Sequence, residues 1–157
     1  MKQKLFGRLA AAAVLLLSAA TATAHDFEVD GIFYNKNSDG TSVSVTYKGS
    51  SPTSHIYSGA VTIPSEITYG GTTYSVTAIG KDAFDYCKNL TSVKIPNSVT
   101  SIGRYAFGEC SGLTSIEIPK SVTYIGVCAF AYCVGLTSLE IPNSITSIDV
   151  GAFYKCI

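Results

Sequence analysis

The chain is dominated by a 23-residue repeat that occurs three times without a gap and then begins a fourth time. The full copies span residues 79–101, 102–124 and 125–147, and the fourth starts at Ile148. Each full copy has Ile-Gly at its start, Ala-Phe at positions five and six, Cys at nine, Leu at twelve and Ile-Pro at seventeen. Because a period of this length indicates stacked supersecondary units, it restricts the fold more than any other property of the chain.

One repeat predicts two short strands joined by turns. In the first copy Val93 and Ile95 fall on one face of an extended segment, and the polar residues beside them fall on the other. Pro96 ends this strand because it has no N–H for a neighbouring strand, and residues 99–102 give a second extended run. We interpret the Ala-Phe-x-x-Cys segment between the strands as a single helical or 3-10 turn.

A single copy of the repeat cannot fold alone. The apolar side chains of one copy are too few for their burial to offset the conformational entropy lost by ordering the whole segment. Copies therefore have to stack, and stacking aligns equivalent positions into ladders. We predict a β-rich α/β solenoid of stacked parallel strands and short turns, with ladders of Cys87, Cys110, Cys133 and Cys156, of Phe84, Phe107, Phe130 and Phe153, and of Leu90, Leu113 and Leu136.

The repeat frame I-G-x-x-A-F-x-x-C-x-x-L-x-x-[VIL]-x-I-P-x-S-V-T, over residues 79–157, resembles the BspA-type bacterial leucine-rich repeat. The resemblance implies a leucine-rich-repeat solenoid displayed at the cell surface or released outside the cell. It also implies a role in adhesion to host matrix and plasma proteins or in contact between cells. Asp149 departs from the family frame, because glycine holds its position in the full copies, and this leaves the geometry of the last copy open.

Residues 1–24 have the organisation of a secretory signal peptide. Lys2, Lys4 and Arg8 precede an apolar stretch from about residue 9 to residue 20, and Ala22-Thr23-Ala24 follows as a cleavage site. The apolar stretch is shorter than the ~20 residues that cross a bilayer, so we expect cleavage rather than a transmembrane segment.

The cleaved chain is expected to be extracellular or at the cell surface, with the periplasm as the alternative. Its first cysteine is Cys87, so the acylated cysteine of a lipoprotein is not expected at the cleavage site. Loss of the three basic leader residues leaves eight basic residues against eleven acidic ones, a balance of −3. That balance gives no basic surface for nucleic acid.

Residues 25–78 are predicted to form a β-rich N-terminal cap with a degenerate first coil. Residues 27–34 and 41–47 read as the two strands of a hairpin. Residues 61–68 copy the I-P-x-S-V-T half of the repeat, and residues 69–75 interrupt the frame as an inserted hairpin. The other end of the stack has no such segment, which predicts either a fragment of a longer array or self-association through the uncapped C-terminal coil.

The cysteine column is expected to hold buried free thiols. Its members are separated by the repeat period, unlike a metal-binding C-x-x-C cluster, and disulfide pairs and a metal site are the less favoured interpretations. Cys128 lies off the column, where we expect it to be exposed and able to couple two chains.

The sequence predicts neither catalysis nor a cofactor. The repeats contain no histidine, and the common nucleophile and zinc-protease motifs are absent from the sequence. His25 would become the mature amino terminus and could bind copper through its amine and imidazole, although coincidence of the cleavage site is the favoured account. The other imidazole, His55, lies in a predicted loop, and no metal site is predicted.

A ligand would contact the positions that vary between copies, because packing in the core determines which residues occupy the ladder positions. We therefore predict a noncatalytic interaction module for an extracellular protein or glycan, with a structural role in a longer array as the alternative. An ordinary solvated surface is the competing interpretation of these positions. The candidate ligand-binding residues are Lys94, Glu117 and Glu140 on the outer strand face and Tyr86, Glu109 and Tyr132 beside the turn.

Overall fold

The computed structural model describes residues 25–51 and 56–156, so the predicted signal peptide and His55 lie outside the described residues. The described residues form eleven β-strands and no helix. None of their segments is a helix that could span a membrane. The strands are β1 (Phe27–Val29), β2 (Ile32–Lys36), β3 (Ser42–Thr46), β4 (Gly59–Thr62), β5 (Glu66–Tyr69), β6 (Thr72–Ile79), β7 (Leu90–Lys94), β8 (Ser101–Ile102), β9 (Ser115–Glu117), β10 (Tyr124–Ile125) and β11 (Ser147–Ile148).

The strands form two sheets whose repeat segments pair in parallel. The longer sheet has the order β1-β2-β3-β6-β8-β10-β11, with β5 paired to β6, and the shorter sheet has the order β4-β7-β9. Tyr124 pairs with Ser101 on one side and with Ser147 on the other, an offset of 23 residues each way. The predicted stacking of parallel strands is therefore confirmed, with one repeat in each layer.

The Ala-Phe-x-x-Cys segments are not helical turns, and that part of the predicted fold class is corrected. Alternate N–H groups close four-residue turns within a layer, as from Asp85 to the Asp82 carbonyl at 3.2 Å. The others donate to the next layer, as from Phe84 to the Ala106 carbonyl at 2.8 Å. Positive φ values near 58° and 57° at Asp82 and Tyr86 interrupt the right-handed backbone that a helix requires. The same two positions of the next two layers also have positive φ, so each turn segment contributes to hydrogen bonding between layers.

The core runs along the stack between the two sheets and the turn segments. Neighbouring phenylalanine rings in it are parallel, with centroids 5.1 Å apart from Phe84 to Phe107 and from Phe107 to Phe130, and 5.5 Å apart from Phe130 to Phe153. Tyr57, which the sequence did not assign to the core, continues this column with its ring centroid 4.6 Å from that of Phe84. Its hydroxyl donates to the Thr46 carbonyl and accepts the Phe33 N–H.

The N-terminal region differs from its prediction in one strand. Residues 27–34 form two antiparallel strands, because Asp30 and Gly31 both have positive φ, 51° and 80°, and reverse the chain. The hairpin of β2 and β3 is confirmed, as is the inserted hairpin, in which β5 and β6 turn through Gly70 and Gly71. Two parallel pairs, β6 with β8 and β4 with β7, join this region to the repeats.

The repeat glycines sit where layers approach each other most closely. A Cβ atom on Gly126 would lie 2.8 Å from the Arg104 nitrogen, which is nearer than side chains pack against backbone. Asp149 holds this position in the last layer, yet its N–H still donates to the Ile125 carbonyl at 2.9 Å. Its carboxylate accepts the Tyr124 hydroxyl at 2.6 Å, so the turn is retained in the last copy.

Candidate binding surfaces

A groove opens on the outer face of the shorter sheet. Lys94 and Glu117 are directly paired positions of β7 and β9, and both side chains are exposed. The corresponding segment of the third copy, residues 138–140, does not pair with β9. Between β9 and this segment lies a space of about 1200 Å³, lined by residues 114–121 and 140–144 with Ser138 and Asn97.

The groove offers charges, hydroxyls and backbone groups to a ligand. Glu117 and Glu140 supply carboxylates, Lys120 supplies an ammonium group, and the remaining polar lining is serine, threonine and asparagine. In the described residues β9 pairs only with β7, so the backbone of its other edge faces the groove. Such an edge can hydrogen-bond an extended polypeptide, and the hydroxyl-rich lining can hydrogen-bond sugars.

A second, smaller cavity lies at the turn edge of the first three layers. It measures about 280 Å³ and brings together Tyr86, Glu109 and Tyr132, the three turn-side residues that the repeat pattern selected. Asp85 and Tyr105 also line it and were not selected from the sequence. The signal for Asp85 is present in the alignment of copies, since a carboxylate stands there where the next copies have Gly108 and Ala131.

Asp85 is an unusual carboxylate because it is buried without full compensation. Its side chain is 9% exposed, and its Oδ1 atom has no hydrogen-bond partner. Burial raises the pKa of Asp85 to about 7, and the nearby Asp82 carboxylate adds to the effect. A hydrogen bond from the Tyr86 backbone N–H opposes the rise, so the carboxyl group titrates near neutral pH.

The cysteine ladder lies in the core and its sulfur atoms are unpaired. The thiols of Cys110 and Cys133 donate to the carbonyls of Phe84 and Phe107, each at 3.0 Å. Burial raises the pKa of Cys87 to about 11 and of Cys133 to about 12. These thiols therefore carry little thiolate near neutral pH and have little nucleophilic character.

Cys128 was expected to be exposed, and this is corrected. Its side chain is half-buried at the turn edge, because Tyr105 and the next layer lie against it. A hydrogen bond between the Cys128 thiol and the Tyr105 hydroxyl raises the pKa of Tyr105. The Cys128 thiol is therefore less accessible for coupling chains than the sequence suggested.

Ladder side chains are buried within the stack and less buried in the last described layer. Leu90, Leu113 and Leu136 are buried in successive layers. Phe153 and Cys156, in the last described layer, are half-buried, and Ile148 there is exposed.

His25 is half-buried and has contacts within the chain. Its Nδ1 atom accepts the Gly49 N–H at 3.3 Å, and its ring meets that of Phe33 edge to face at 4.6 Å. Within residues 25–51 and 56–156, no three histidine, cysteine or carboxylate side chains are grouped as metal ligands. No observation among these contacts favours the copper alternative.

Comparison with known families and structures agrees with this geometry. Residues 77–157 match the family described as BspA type leucine rich repeat region, in six copies. No protein of curated function matches the sequence.

Solved bacterial structures share both fold and sequence with the chain. A leucine-rich repeat protein from Bacteroides ovatus superposes with a TM-score of 0.75 at 38% identity, over 83% of this chain and 33% of that one. One from Bacteroides capillosus gives 0.66 at 31% identity, over 82% and 88%. A leucine rich cell surface protein from Faecalibacterium prausnitzii gives 0.70 at 33% identity, over 88% and 35%. The chain thus spans about a third of the first and third of these proteins.

Proposed function

Because this chain belongs to the BspA-type leucine-rich repeat proteins, we propose that it is an exported, noncatalytic interaction module. It acts at the cell surface or outside the cell and binds an extracellular protein or glycan in an adhesive contact. In this proposal the repeats form a solenoid, and residues 25–78 cap its first layer. Support for the cap comes from Tyr57, which covers Phe84, and from the strand pairs that join β6 to β8 and β4 to β7.

The observation that carries the proposal is the division of each layer into fixed and free positions. Inward positions such as Phe107 and Leu113 are fully buried, so packing determines them. Outward positions of the same layers are exposed, and two of them, Glu117 and Glu140, line the strand-face groove. A fold that holds its interior fixed while its outer residues change is suited to recognising partners rather than to transforming them.

Export is supported by the leader sequence and by a relative. Residues 1–24 have the charged, apolar and small-residue regions of a signal peptide in the expected order. The Faecalibacterium prausnitzii structure is that of a cell surface protein.

Binding through the groove is tested by reversing its charges. The protein is passed over immobilised matrix proteins, plasma proteins and mucin glycans, and retention is compared with that of a Glu117→Lys, Glu140→Lys double variant. We expect at least one surface to retain the protein, and the double variant to bind about tenfold more weakly, as expected from losing about 1.4 kcal/mol of contact energy.

The matched control is the Glu28→Lys, Glu66→Lys double variant, which changes the net charge equally at exposed positions on β1 and β5. Its binding should stay within about twofold of the parent protein, since surface substitutions away from a contact have small effects. Retention on none of the surfaces would contradict the adhesive function, and equal weakening by both double variants would remove the groove from the proposal.

A further inference from the structure

The turn-edge cavity is built around a carboxylate that only one interface between layers can hold. Asp85 lies beneath Gly108 of the next layer, and a Cβ atom at Gly108 would come within 2.5 Å of Asp85 Oδ1. The absence of that side chain leaves room for the carboxylate. In the following layer the equivalent residue is Ala131, so the arrangement of carboxylate and glycine occurs once among the described repeats.

A buried carboxylate oxygen without a donor is energetically costly, and a cation is the partner that would compensate it best. Oδ1 of Asp85 accepts no hydrogen bond and is itself covered, although Asp85 lines an open cavity. Glu109 adds a second carboxylate to the lining. Anions would be repelled by this pair, and a neutral ligand would leave the charge of Asp85 unpaired.

Aromatic side chains form the remaining walls. Tyr86, Tyr105 and Tyr132 line the cavity, and the faces of tyrosine rings attract cations. The chain's own side chains show this preference, because the Arg104 guanidinium lies 5.1 Å from the Tyr105 centroid and the Lys155 ammonium lies 5.4 Å from that of Tyr132. Both cations sit on exposed side chains, and Asp85 Oδ1, covered by Gly108, has no donor from either of them.

From this geometry we propose that the cavity bounded by Asp85, Glu109 and the three tyrosines binds an organic cation, an ammonium or guanidinium group. The group can be a lysine or arginine side chain of a partner polypeptide or a free alkylamine, since the chemistry is the same. The Asp85 and Glu109 carboxylates supply the negative charge, and the tyrosine rings supply the faces on which the cation lies. This inference does not depend on the strand-face groove, because the groove and the cavity have no lining residue in common.

The charged groups around Asp85 define the pH dependence of binding. Asp82 and Glu109 are the acidic neighbours, while Lys81, in an ion pair with Asp82 at 3.6 Å, and Lys88, above the Tyr86 ring, are the basic ones. Burial raises the pKa of Asp85 to about 7, so the carboxylate fraction rises from about a tenth at pH 6 to about nine tenths at pH 8. Cation affinity should increase about ninefold across this range.

The test is a titration of the isotope-labelled protein, monitored by NMR. The probes are n-butylammonium and the Nα-acetyl amides of lysine and arginine, which keep their charged side chains. We expect resonances of the cavity residues to shift with millimolar dissociation constants that improve about ninefold from pH 6 to pH 8. Binding of the amino-acid amides would identify a polypeptide side chain as the source, and binding of butylammonium alone would identify a free amine. Either result supports a cation site.

Two comparisons keep the test specific. Asp85→Asn should weaken binding at pH 8 at least tenfold and abolish its pH dependence, while Glu117→Gln, in the groove, should change neither. The proposal is overturned if no probe shifts cavity resonances at 50 mM, a concentration of about fifty times a millimolar constant. It is also overturned if uncharged n-butanol produces the same shifts, or if Asp85→Asn binds as tightly as the parent protein. None of these outcomes bears on the groove, which the charge-reversal variants test separately.

Discussion

Replacing Phe107 with alanine is expected to lower the free energy of unfolding by about 3 to 5 kcal/mol. Phe107 is fully buried, and its ring stacks between Phe84 and Phe130 with centroids 5.1 Å away on both sides. Truncation removes the ring's burial and leaves a void that two neighbouring layers border. Urea denaturation followed by circular dichroism measures the change.

The same substitution at Phe153 is the matched control. This ring has the identical position in its repeat, but it is half-buried and stacks on Phe130 alone, at 5.5 Å. Phe153→Ala should therefore cost about 1 to 2 kcal/mol, in proportion to the smaller area that it buries. Equal effects at the two positions would mean that layers do not stabilise each other through this column.

Replacing Asp85 with asparagine is expected to stabilise the protein at pH 8 by about 2 to 4 kcal/mol and to have little effect near pH 4. The pKa of Asp85 is about 7 in the folded protein against 3.8 for an unperturbed aspartate. The folded state therefore binds the proton more tightly than the unfolded state does. The resulting stabilisation is complete below pH 3.8 and is lost as the pH rises through 7. Asparagine keeps the shape of the side chain without acquiring the charge.

Urea denaturation of both proteins at pH 4.5 and pH 8 measures this difference. Glu117→Gln, which removes an exposed carboxylate on β9, should change stability by less than about 0.5 kcal/mol at either pH. An Asp85→Asn variant that is less stable than the parent protein at pH 8 would show that the buried carboxylate has a compensating partner within the fold.

The sequence predicted the features that follow from periodicity. Residues that repeat every 23 positions and alternate in polarity gave the parallel stacking, the strand at residues 90–94 and the buried Phe and Leu columns. These features depend on which side chains face inward, and side-chain periodicity reports this directly.

Local backbone conformation was harder to predict. The turn segments have non-glycine residues with positive φ, such as Tyr86 and Glu109, and the sequence carries no signal for this because the cost is offset by hydrogen bonds to the next layer. The turn dipeptide Asp30-Gly31 interrupts the apolar run of residues 27–34, which therefore forms two strands instead of one.

The two surfaces were predictable in different degrees. Repeat alignment identified Tyr86, Glu109 and Tyr132 as outward residues, and the structure brings them to one cavity. The burial of Asp85 could not be predicted from its own repeat, because it depends on the missing side chain of Gly108 one layer away. The groove arises from the separation of residues 138–140 from β9, although this segment keeps the repeat frame of its paired counterparts.

The central claim is that successive 23-residue segments lie on one another as equivalent layers, with outward positions left free for recognition. NMR cross-relaxation between aromatic rings, in protein labelled at phenylalanine, tests it most directly. The account predicts contacts between Phe84 and Phe107 and between Phe107 and Phe130, whose centroids are 5.1 Å apart, and none between Phe84 and Phe130, which are two layers apart. Absence of the contacts between adjacent repeats, or a direct contact across two repeats, would contradict it.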